Sequence, residues 1–178
     1  MYTPSDDTFL LADSLSQYKG WRALEIGVGS GLLLKILEEN FAYVVGSDID
    51  LQSLQHCKLQ RSSSSSNVLL VCCDAGSAFG SNKFNFIVSN PPYLPNDEDS
   101  NIVDPTVHGG PAGIEATVHF VNSALPLLTK DGKMLVVISS LADTSTFERM
   151  ILRNNMQKKI VKQKRIFYET LSIVELSH

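Results

Sequence analysis

The chain has 178 residues, and its 43% hydrophobic and 19% charged residues are typical of a globular domain rather than a disordered chain. A net charge of −4 argues against a chain that grips nucleic acid by itself, because such binding depends on neutralising phosphates. No apolar run approaches the ~20 residues of a membrane span, and the first seven residues lack the pattern of a signal peptide. We therefore expect one cytoplasmic domain over residues 1–178.

Strand-like and helix-like segments alternate along the chain. Helices are predicted from Ser5 or Asp6 to about Gln17 and over residues 31–39, Leu51–Gln60, 114–128 and 143–154; strands are predicted over residues 22–28, 43–48, 67–73, Phe84–Ser89, 133–139, 158–167 and 169–176. Residues 61–67, with five serines, and residues 90–113 are predicted loops. This alternation indicates an α/β fold with five parallel strands, closed by an antiparallel hairpin because the last two strands are joined too tightly for a crossover.

The cysteines and histidines predict no metal site. Cys57, Cys72 and Cys73 are odd in number and have no CxxC spacing, so we expect reduced thiols. His56, His119 and His178 are scattered without metal-ligand spacing.

A glycine-rich loop follows the first predicted strand and opens the next helix. It reads Glu25-Ile26-Gly27-Val28-Gly29-Ser30-Gly31, and Leu32 stands where a dinucleotide fingerprint needs glycine or alanine. The loop resembles the cofactor loop of class I S-adenosylmethionine-dependent methyltransferases. That resemblance implies contacts to the cofactor from Gly27, Gly29 and Gly31, with Glu25 near its methionine ammonium group. A strand-to-helix turn without any ligand is the alternative.

Two aspartates at strand ends are further candidates for cofactor binding. Asp48 ends the second strand, where a carboxylate can accept hydrogen bonds from both ribose hydroxyls. Asp50 lies past the strand end and is interpreted as the cap of the next helix. Asp74 ends the third strand and is a candidate for contact with the adenine amine, with a solvated turn aspartate as the alternative.

The chemical motif is Ser89-Asn90-Pro91-Pro92-Tyr93, at the end of the fourth strand. The prolines hold the chain extended, so the Pro91 carbonyl and the Asn90 amide oxygen offer two acceptors for a nitrogen that carries two hydrogens. Tyr93 offers a flat face on which a planar group can stack. Such orientation predicts methyl transfer to nitrogen without a strong base, so His108 is not expected to act as one. A rigid turn is the alternative.

Asn90-Pro91-Pro92-Tyr93 is similar to the signature of enzymes that methylate planar nitrogens, either glutamine amides or the exocyclic amines of bases. Residues 2–11, from Tyr2 to Leu11, resemble the start of the HemK-like release-factor glutamine methyltransferases of archaeal and eukaryotic type, Y-x-P-x-E-D-T-F-L-L, with Asp6 where glutamate is usual. Residues 108–113 resemble the family's glycine-containing loop. The resemblance implies a Rossmann-like, seven-stranded fold, S-adenosylmethionine as cofactor, Thr8 near that cofactor and Pro4 near the mouth of the site. It also implies a glutamine of a translation release factor as substrate.

The resemblance also implies a partner. Bacterial members carry an additional N-terminal helical domain, which we expect this chain to lack, whereas archaeal and eukaryotic members act with a small zinc-binding activator. In this fold the third strand is a sheet edge, and residues 67–73 carry no lysine or proline to blunt it. The run from Val68 to Val71 shows no alternation, as in a strand covered on both faces. We therefore expect strand addition by a partner at this edge.

Three alternatives remain open at the level of sequence. They are a nucleic-acid amine methyltransferase, a lysine methyltransferase and a cofactor-binding scaffold without activity. The basic residues near the chain's end are interpreted as solvated or edge-protecting charge rather than as an RNA site: Lys158, Lys159, Lys162, Lys164 and Arg165.

Overall fold

A computed structural model describes residues 3–61, 67–96 and 104–178 of the chain. Its helices are α1 (Asp6–Leu15), α2 (Leu32–Asn40), α3 (Leu51–Gln60), α4 (Glu115–Ala124) and α5 (Ser145–Arg153). Its strands are β1 (Gly20–Ile26), β2 (Phe41–Asp48), β3 (Val68–Cys72), β4 (Phe84–Ser89), β5 (Leu94–Pro95), β6 (His108–Gly110), β7 (Leu128–Ser139), β8 (Gln157–Ile166) and β9 (Glu169–Ser177). Tyr2, residues 62–66 of the predicted serine loop and residues 97–103 of the second predicted loop lie outside this description.

Seven strands form one sheet in the order β3-β2-β1-β4-β7-β9-β8. The first five strands of this order run parallel, and β9 pairs antiparallel with both β7 and β8. The predicted α/β fold with a closing hairpin is therefore confirmed. The carboxyl ends of all five parallel strands lie at the same end of the sheet. Open α/β sheets bind their ligands at this end.

Apolar cores cover both faces of the sheet. On β1, Leu24 and Ile26 belong to the core under α4 and α5, whereas Ala23 belongs to the core under α1 and α2. Successive side chains of a strand point to opposite faces, so continuous apolar strands supply both cores at once. All three of these side chains are fully buried. This packing holds the strand ends in place.

Several element ends differ from the predictions for local reasons. β1 stops at Ile26 because Gly27 takes a φ of +77°, and α2 starts at Leu32 because Gly31 takes a φ of +80°. The predicted helix 114–128 ends at Ala124, since Pro126 lies in a short 3₁₀ turn and β7 already begins at Leu128.

The third strand was predicted correctly as an edge and wrongly as covered on both faces. β3 pairs with β2 and ends the strand order of the sheet. The Leu69 side chain is 60% exposed, because the residues described between β3 and β4 form turns rather than a covering helix.

No helix described here is long and apolar enough to cross a membrane.

Candidate active site

A cavity of about 290 Å³ opens at the carboxyl ends of β1, β2 and β4. Most of the predicted site residues line it: Thr8, Glu25, Gly27, Gly29, Asp48, Asn90, Pro91, Pro92 and Tyr93. Residues separated by more than 80 positions in the chain therefore meet in one place. Two predicted residues, Gly31 and Asp74, do not line this cavity.

The glycine loop is shaped by backbone hydrogen bonds to the end of β2. The Gly27 and Val28 amides donate to the Ser47 carbonyl at 2.8 and 3.2 Å, and the Gly29 amide donates to Asp48 Oδ2 at 3.0 Å. Gly27 and Gly29 have φ values of +77° and +47°, which side chains rarely adopt. The loop therefore leaves open backbone against the cavity, as a closely approaching ligand requires.

Gly31 has a structural role behind the loop. A Cβ built at Gly31 would lie 2.8 Å from Cys57 Sγ, so a larger residue would push against α3. Gly31 lines a neighbouring cavity together with Pro4. The structure therefore places Gly31 and Pro4 beside the main cavity and not in it, and their predicted places near the cofactor and at the mouth stay predictions.

Glu25 is a buried carboxyl group whose Oε2 has no hydrogen-bond partner among the described residues. Burial, together with the nearby charge of Asp48, raises the pKa of Glu25 well above its ordinary value. An unpaired buried carboxylate is costly, and a cation beside it removes that cost. The site is thus built to receive a positively charged group next to the glycine loop.

Asp48 is positioned by its neighbours to face the cavity. Its Oδ2 accepts from the Gly29 amide, and its Oδ1 accepts from the Asp50 amide at 2.9 Å. Each carboxylate oxygen can accept a second hydrogen bond, which suits a pair of ligand hydroxyls. The helix-cap interpretation of Asp50 is confirmed, because its carboxylate accepts from the Gln52 and Ser53 amides at the start of α3.

Asp74 lies away from the cavity and pairs with His119, at 2.8 Å between Oδ1 and Nε2. Both side chains are about half exposed, which matches a surface pair and not a ligand contact. The structure therefore does not bring Asp74 together with the other predicted site residues, and its contact to an adenine stays a prediction. Phe120, which the sequence analysis did not single out, lines the cavity in its place and lies beside Gly27.

Asn90 lines the cavity, and its amide group is held by α1. Its Nδ2 donates to Asp7 Oδ2 at 3.1 Å and to Thr8 Oγ1 at 3.2 Å, whereas Oδ1 is buried without a partner among the described residues. A buried carbonyl oxygen left unsatisfied awaits a donor. This arrangement agrees with the predicted acceptor role of Asn90, and the predicted role of the Pro91 carbonyl stays a prediction.

Asp7 is the site residue that sequence reasoning missed. It is 2% exposed and lies in the first turn of α1. Its Oδ2 accepts from both Asn90 Nδ2 and the Tyr93 hydroxyl, the latter at 3.0 Å. Its Oδ1 accepts from the Thr8 amide at 2.6 Å. The only signal in the sequence was its place beside Thr8 in the family-like opening.

The loop after the motif packs closely against the motif, and its glycines make this close approach possible. A Cβ at Gly109 would lie 2.4 Å from the Pro92 carbonyl oxygen, and one at Gly113 would lie 2.6 Å from the Tyr93 carbonyl oxygen. The Tyr93 amide also donates to the Val107 carbonyl at 3.2 Å. His108 bonds to the backbone of residue 104 and does not line the cavity, in agreement with its not being a base.

Comparisons with known proteins agree with this geometry. Residues 5–169 match the family model of the methyltransferase small domain. A Methanocaldococcus jannaschii protein provisionally named protein N5-glutamine methyltransferase is 27% identical over 178 residues, covering 98% of this chain and 90% of that protein. A release factor glutamine methyltransferase from Caulobacter vibrioides is 29% identical over 153 residues, covering 76% of this chain and 53% of that protein.

Solved structures share the fold. The structure of the E. cuniculi Mtq2–Trm112 complex, described as responsible for methylation of the termination factor eRF1, superposes with a TM-score of 0.76 at 22% identity, covering 99% of this chain and 97% of that chain. A Streptococcus mutans protein provisionally described as a methyltransferase, solved with SAH, gives a TM-score of 0.66 at 16% identity and covers 98% of each chain. The family match spans most of the sequence, so the chain belongs to the methyltransferase small domain family.

Proposed function

We propose that this chain uses S-adenosylmethionine to methylate a planar nitrogen, the side-chain amide of a glutamine in a translation release factor. The observation that carries the proposal is a pair of buried oxygens, Glu25 Oε2 and Asn90 Oδ1, which have no hydrogen-bond partner among the described residues and belong to two residues that line one cavity. One oxygen suits a cation and the other suits an N–H donor. The names of both curated relatives, which refer to glutamine methylation, support this choice of acceptor.

The residues around the glycine loop fit the cofactor. Glu25 would hold the methionine ammonium group, Asp48 would accept from the ribose hydroxyls, and Gly27 and Gly29 would let the backbone approach. Thr8, buried beside Asn90, would lie between the cofactor and the acceptor. When bound, the cofactor supplies a sulfonium methyl group, whose transfer breaks the carbon–sulfur bond, forms the carbon–nitrogen bond and leaves a neutral thioether.

The chain's own residues would act on the acceptor by orientation. Asn90 Oδ1 accepts one amide N–H, the Pro91 carbonyl accepts the other, and the Tyr93 ring packs on the amide plane. Held in this way, the nitrogen directs its electron pair towards the methyl carbon. The two acceptors stabilise positive charge as it develops on nitrogen, and the proton leaves to solvent after transfer. No strong base is required.

A small activator protein is the proposed partner. The β3 edge is available on its outer side and carries the exposed Leu69, so an added strand would gain main-chain hydrogen bonds and apolar contact. The E. cuniculi Mtq2 neighbour, which was solved with Trm112, supports a partner of this kind. We propose that the activator binds zinc and that the pair acts in the cytoplasm, with the translation machinery.

The test is transfer of a labelled methyl group to a purified release factor. The chain is assayed alone and with a candidate zinc-binding activator, with Asn90→Ala as the variant and with RNA and DNA as parallel acceptors. We expect one labelled glutamine, and we expect the variant to lose at least 100-fold in rate while binding the cofactor. Labelling of RNA or DNA but not of the factor would replace glutamine by a base amine. Cofactor binding without transfer to any acceptor would favour the scaffold alternative.

A further inference from the structure

The orientation of the Asn90 amide is determined by a neighbouring carboxylate. An asparagine side chain can turn by 180° and exchange the positions of its oxygen and its NH₂ group. Where the neighbours can both donate and accept hydrogen bonds, as water can, neither orientation is preferred. Asp7 Oδ2 lies 3.1 Å from Asn90 Nδ2. A carboxylate accepts hydrogen bonds and cannot donate them, so only the NH₂ group can face Asp7. The amide oxygen is then on the side away from Asp7, without a partner among the described residues and on a residue that lines the cavity.

We infer that Asp7 is the positioning residue for methyl transfer, because it holds both Asn90 and Tyr93 in the orientation that receives the acceptor nitrogen. This inference rests on the proposed function. Asp7 Oδ2 also accepts from the Tyr93 hydroxyl at 3.0 Å, so one oxygen atom orients the acceptor side chain and the stacking ring. The Tyr93 hydroxyl, tied in this way, sets the tilt of the ring over the cavity.

Asp7 is itself held rigidly. It is 2% exposed, and its second oxygen, Oδ1, accepts from the Thr8 amide at 2.6 Å and from the Ser5 hydroxyl at 2.8 Å. Hydrogen bonds to both oxygens restrict the carboxylate to one orientation. The residues that donate to it are therefore held in one orientation as well. The charge also polarises the Asn90 amide, because a hydrogen bond from Nδ2 to a carboxylate increases the negative charge on Oδ1.

The neighbouring residue Asp6 provides a matched control. Asp6 is one position earlier on α1, but its carboxylate is half exposed and pairs with Lys164 Nζ at 3.0 Å. Asp6→Asn therefore removes the same charge from the same turn of helix without touching the cavity. It is expected to leave the rate of methyl transfer within about twofold of the unmodified chain.

The decisive variants exchange the two functional groups. Asp7→Asn keeps the size of the side chain at position 7, but the amide introduced there and the amide of Asn90 can then both turn by 180°. The kcat is therefore expected to fall at least tenfold, while the Kd for S-adenosylmethionine changes less than threefold. Asn90→Asp places two carboxylates side by side, and like charges disfavour that arrangement. In the double variant Asp7→Asn/Asn90→Asp, the introduced amide at position 7 donates to the introduced carboxylate at position 90. An acceptor oxygen again faces the cavity, so the double variant is expected to be at least tenfold faster than Asn90→Asp.

Steady-state methyl transfer to the release factor, cofactor binding by calorimetry and thermal melting are measured for every variant. A merely structural role for Asp7 predicts a lowered melting temperature and losses that multiply in the double variant. Full kcat in Asp7→Asn, or a double variant no faster than Asn90→Asp, would overturn the inference and leave the proposed function standing. Absence of transfer by the unmodified chain would instead count against the proposed function.

A second measurement applies if Asp7→Asn does not fold. In the unmodified chain with bound cofactor, the Asn90 side-chain NH₂ protons are assigned by NMR, with Asn90→Ala as the blank. Hydrogen bonds to Asp7 and Thr8 predict protected protons that exchange slowly with solvent. Rapid exchange of both protons would contradict the inference.

Discussion

At the scale of single residues, Glu25 makes the strongest thermodynamic prediction. Its pKa in the folded chain is raised well above the ordinary value of 4.5, so the folded state keeps a proton that the unfolded state releases. Stability therefore falls as pH rises from about 4.5 through the folded-state pKa, because the unfolded chain then binds fewer protons than the folded chain. Glu25→Gln removes this dependence and is expected to raise the melting temperature of the cofactor-free chain at neutral pH.

The same substitution is expected to weaken cofactor binding at least tenfold, since a neutral amide no longer pairs with an ammonium group. Melting temperature against pH, measured with and without S-adenosylmethionine, separates the two effects. Glu39→Gln changes an exposed carboxylate on α2 and should alter neither. A Glu25→Gln variant less stable than the unmodified chain at neutral pH would show that this carboxyl group has a partner of its own.

Sequence reasoning found the side chains that follow strands, whereas of the helix side chains at the site it found Thr8 through the family resemblance and missed Asp7 and Phe120. Asn90 and Asp48 were predictable because parallel strands bring their carboxyl ends to one edge. Asp7 meets Asn90 across 83 positions, and that contact depends on how α1 docks on the sheet. The pairing of Asp74 with His119 was not predictable, because position at a strand end does not reveal that a residue of α4 lies within reach.

At the scale of elements, the loop that holds the motif depends on a glycine at position 109. A methyl group there would lie 2.4 Å from the Pro92 carbonyl oxygen, which is backbone and cannot move alone. Gly109→Ala is therefore expected to displace Tyr93 and to lower kcat at least tenfold, with a smaller effect on cofactor affinity. Gly80→Ala is the control, because its new Cβ would meet only the Lys83 side chain at 3.6 Å. Equal kcat in both variants would contradict the claim that close packing at Gly109 positions the motif.

Element ends were predicted less well than element types. The helix predicted over residues 114–128 has an apolar pattern that continues into β7, so periodicity alone does not mark where Pro126 breaks it. The strands β5 and β6, of two and three residues, are too short for a pattern to develop, and they form through the tertiary approach of Leu94 to His108. Only the second failure concerns a contact that the local sequence does not encode, because Pro126 is itself a local signal that ends a helix.

At the scale of the whole molecule, the sheet has one edge suited to assembly. Leu69→Lys places a charge on the exposed face of β3, where the proposed activator would pack. We expect it to weaken activator binding at least tenfold and to leave cofactor binding unchanged. Leu152→Lys, on α5 and 77% exposed, is the control for an added surface charge. Binding is measured by calorimetry with the purified activator, and equal affinity of both variants would exclude the β3 edge.

The global topology was the most predictable level, because strand length, helix length and a tight final turn leave few ways to arrange the chain. The antiparallel pairing of β8 with β9 follows from their short connection, whereas the insertion of β9 between β7 and β8 does not. The exposure of one face of β3 was not predictable from its apolar sequence. The same sequence is expected whether a helix of this chain or a partner protein covers that face.

The docking of α1 has a consequence for the moment at which the enzyme acquires activity during its own synthesis. This ten-residue helix is too short to be stable alone, and it packs on strands that are synthesised after the site residues. Leu11 and Leu15 share a core with Leu171 and Ile173, and the neighbouring Tyr18 hydroxyl donates to Glu175 at 2.6 Å. A nascent chain that has not yet released β8 and β9 from the ribosome lacks these anchors, so Asp7 waits for them before it meets Asn90. We therefore expect the ability to transfer a methyl group to be acquired only after β8 and β9 have formed, however early the glycine loop and the Asn90 motif leave the ribosome.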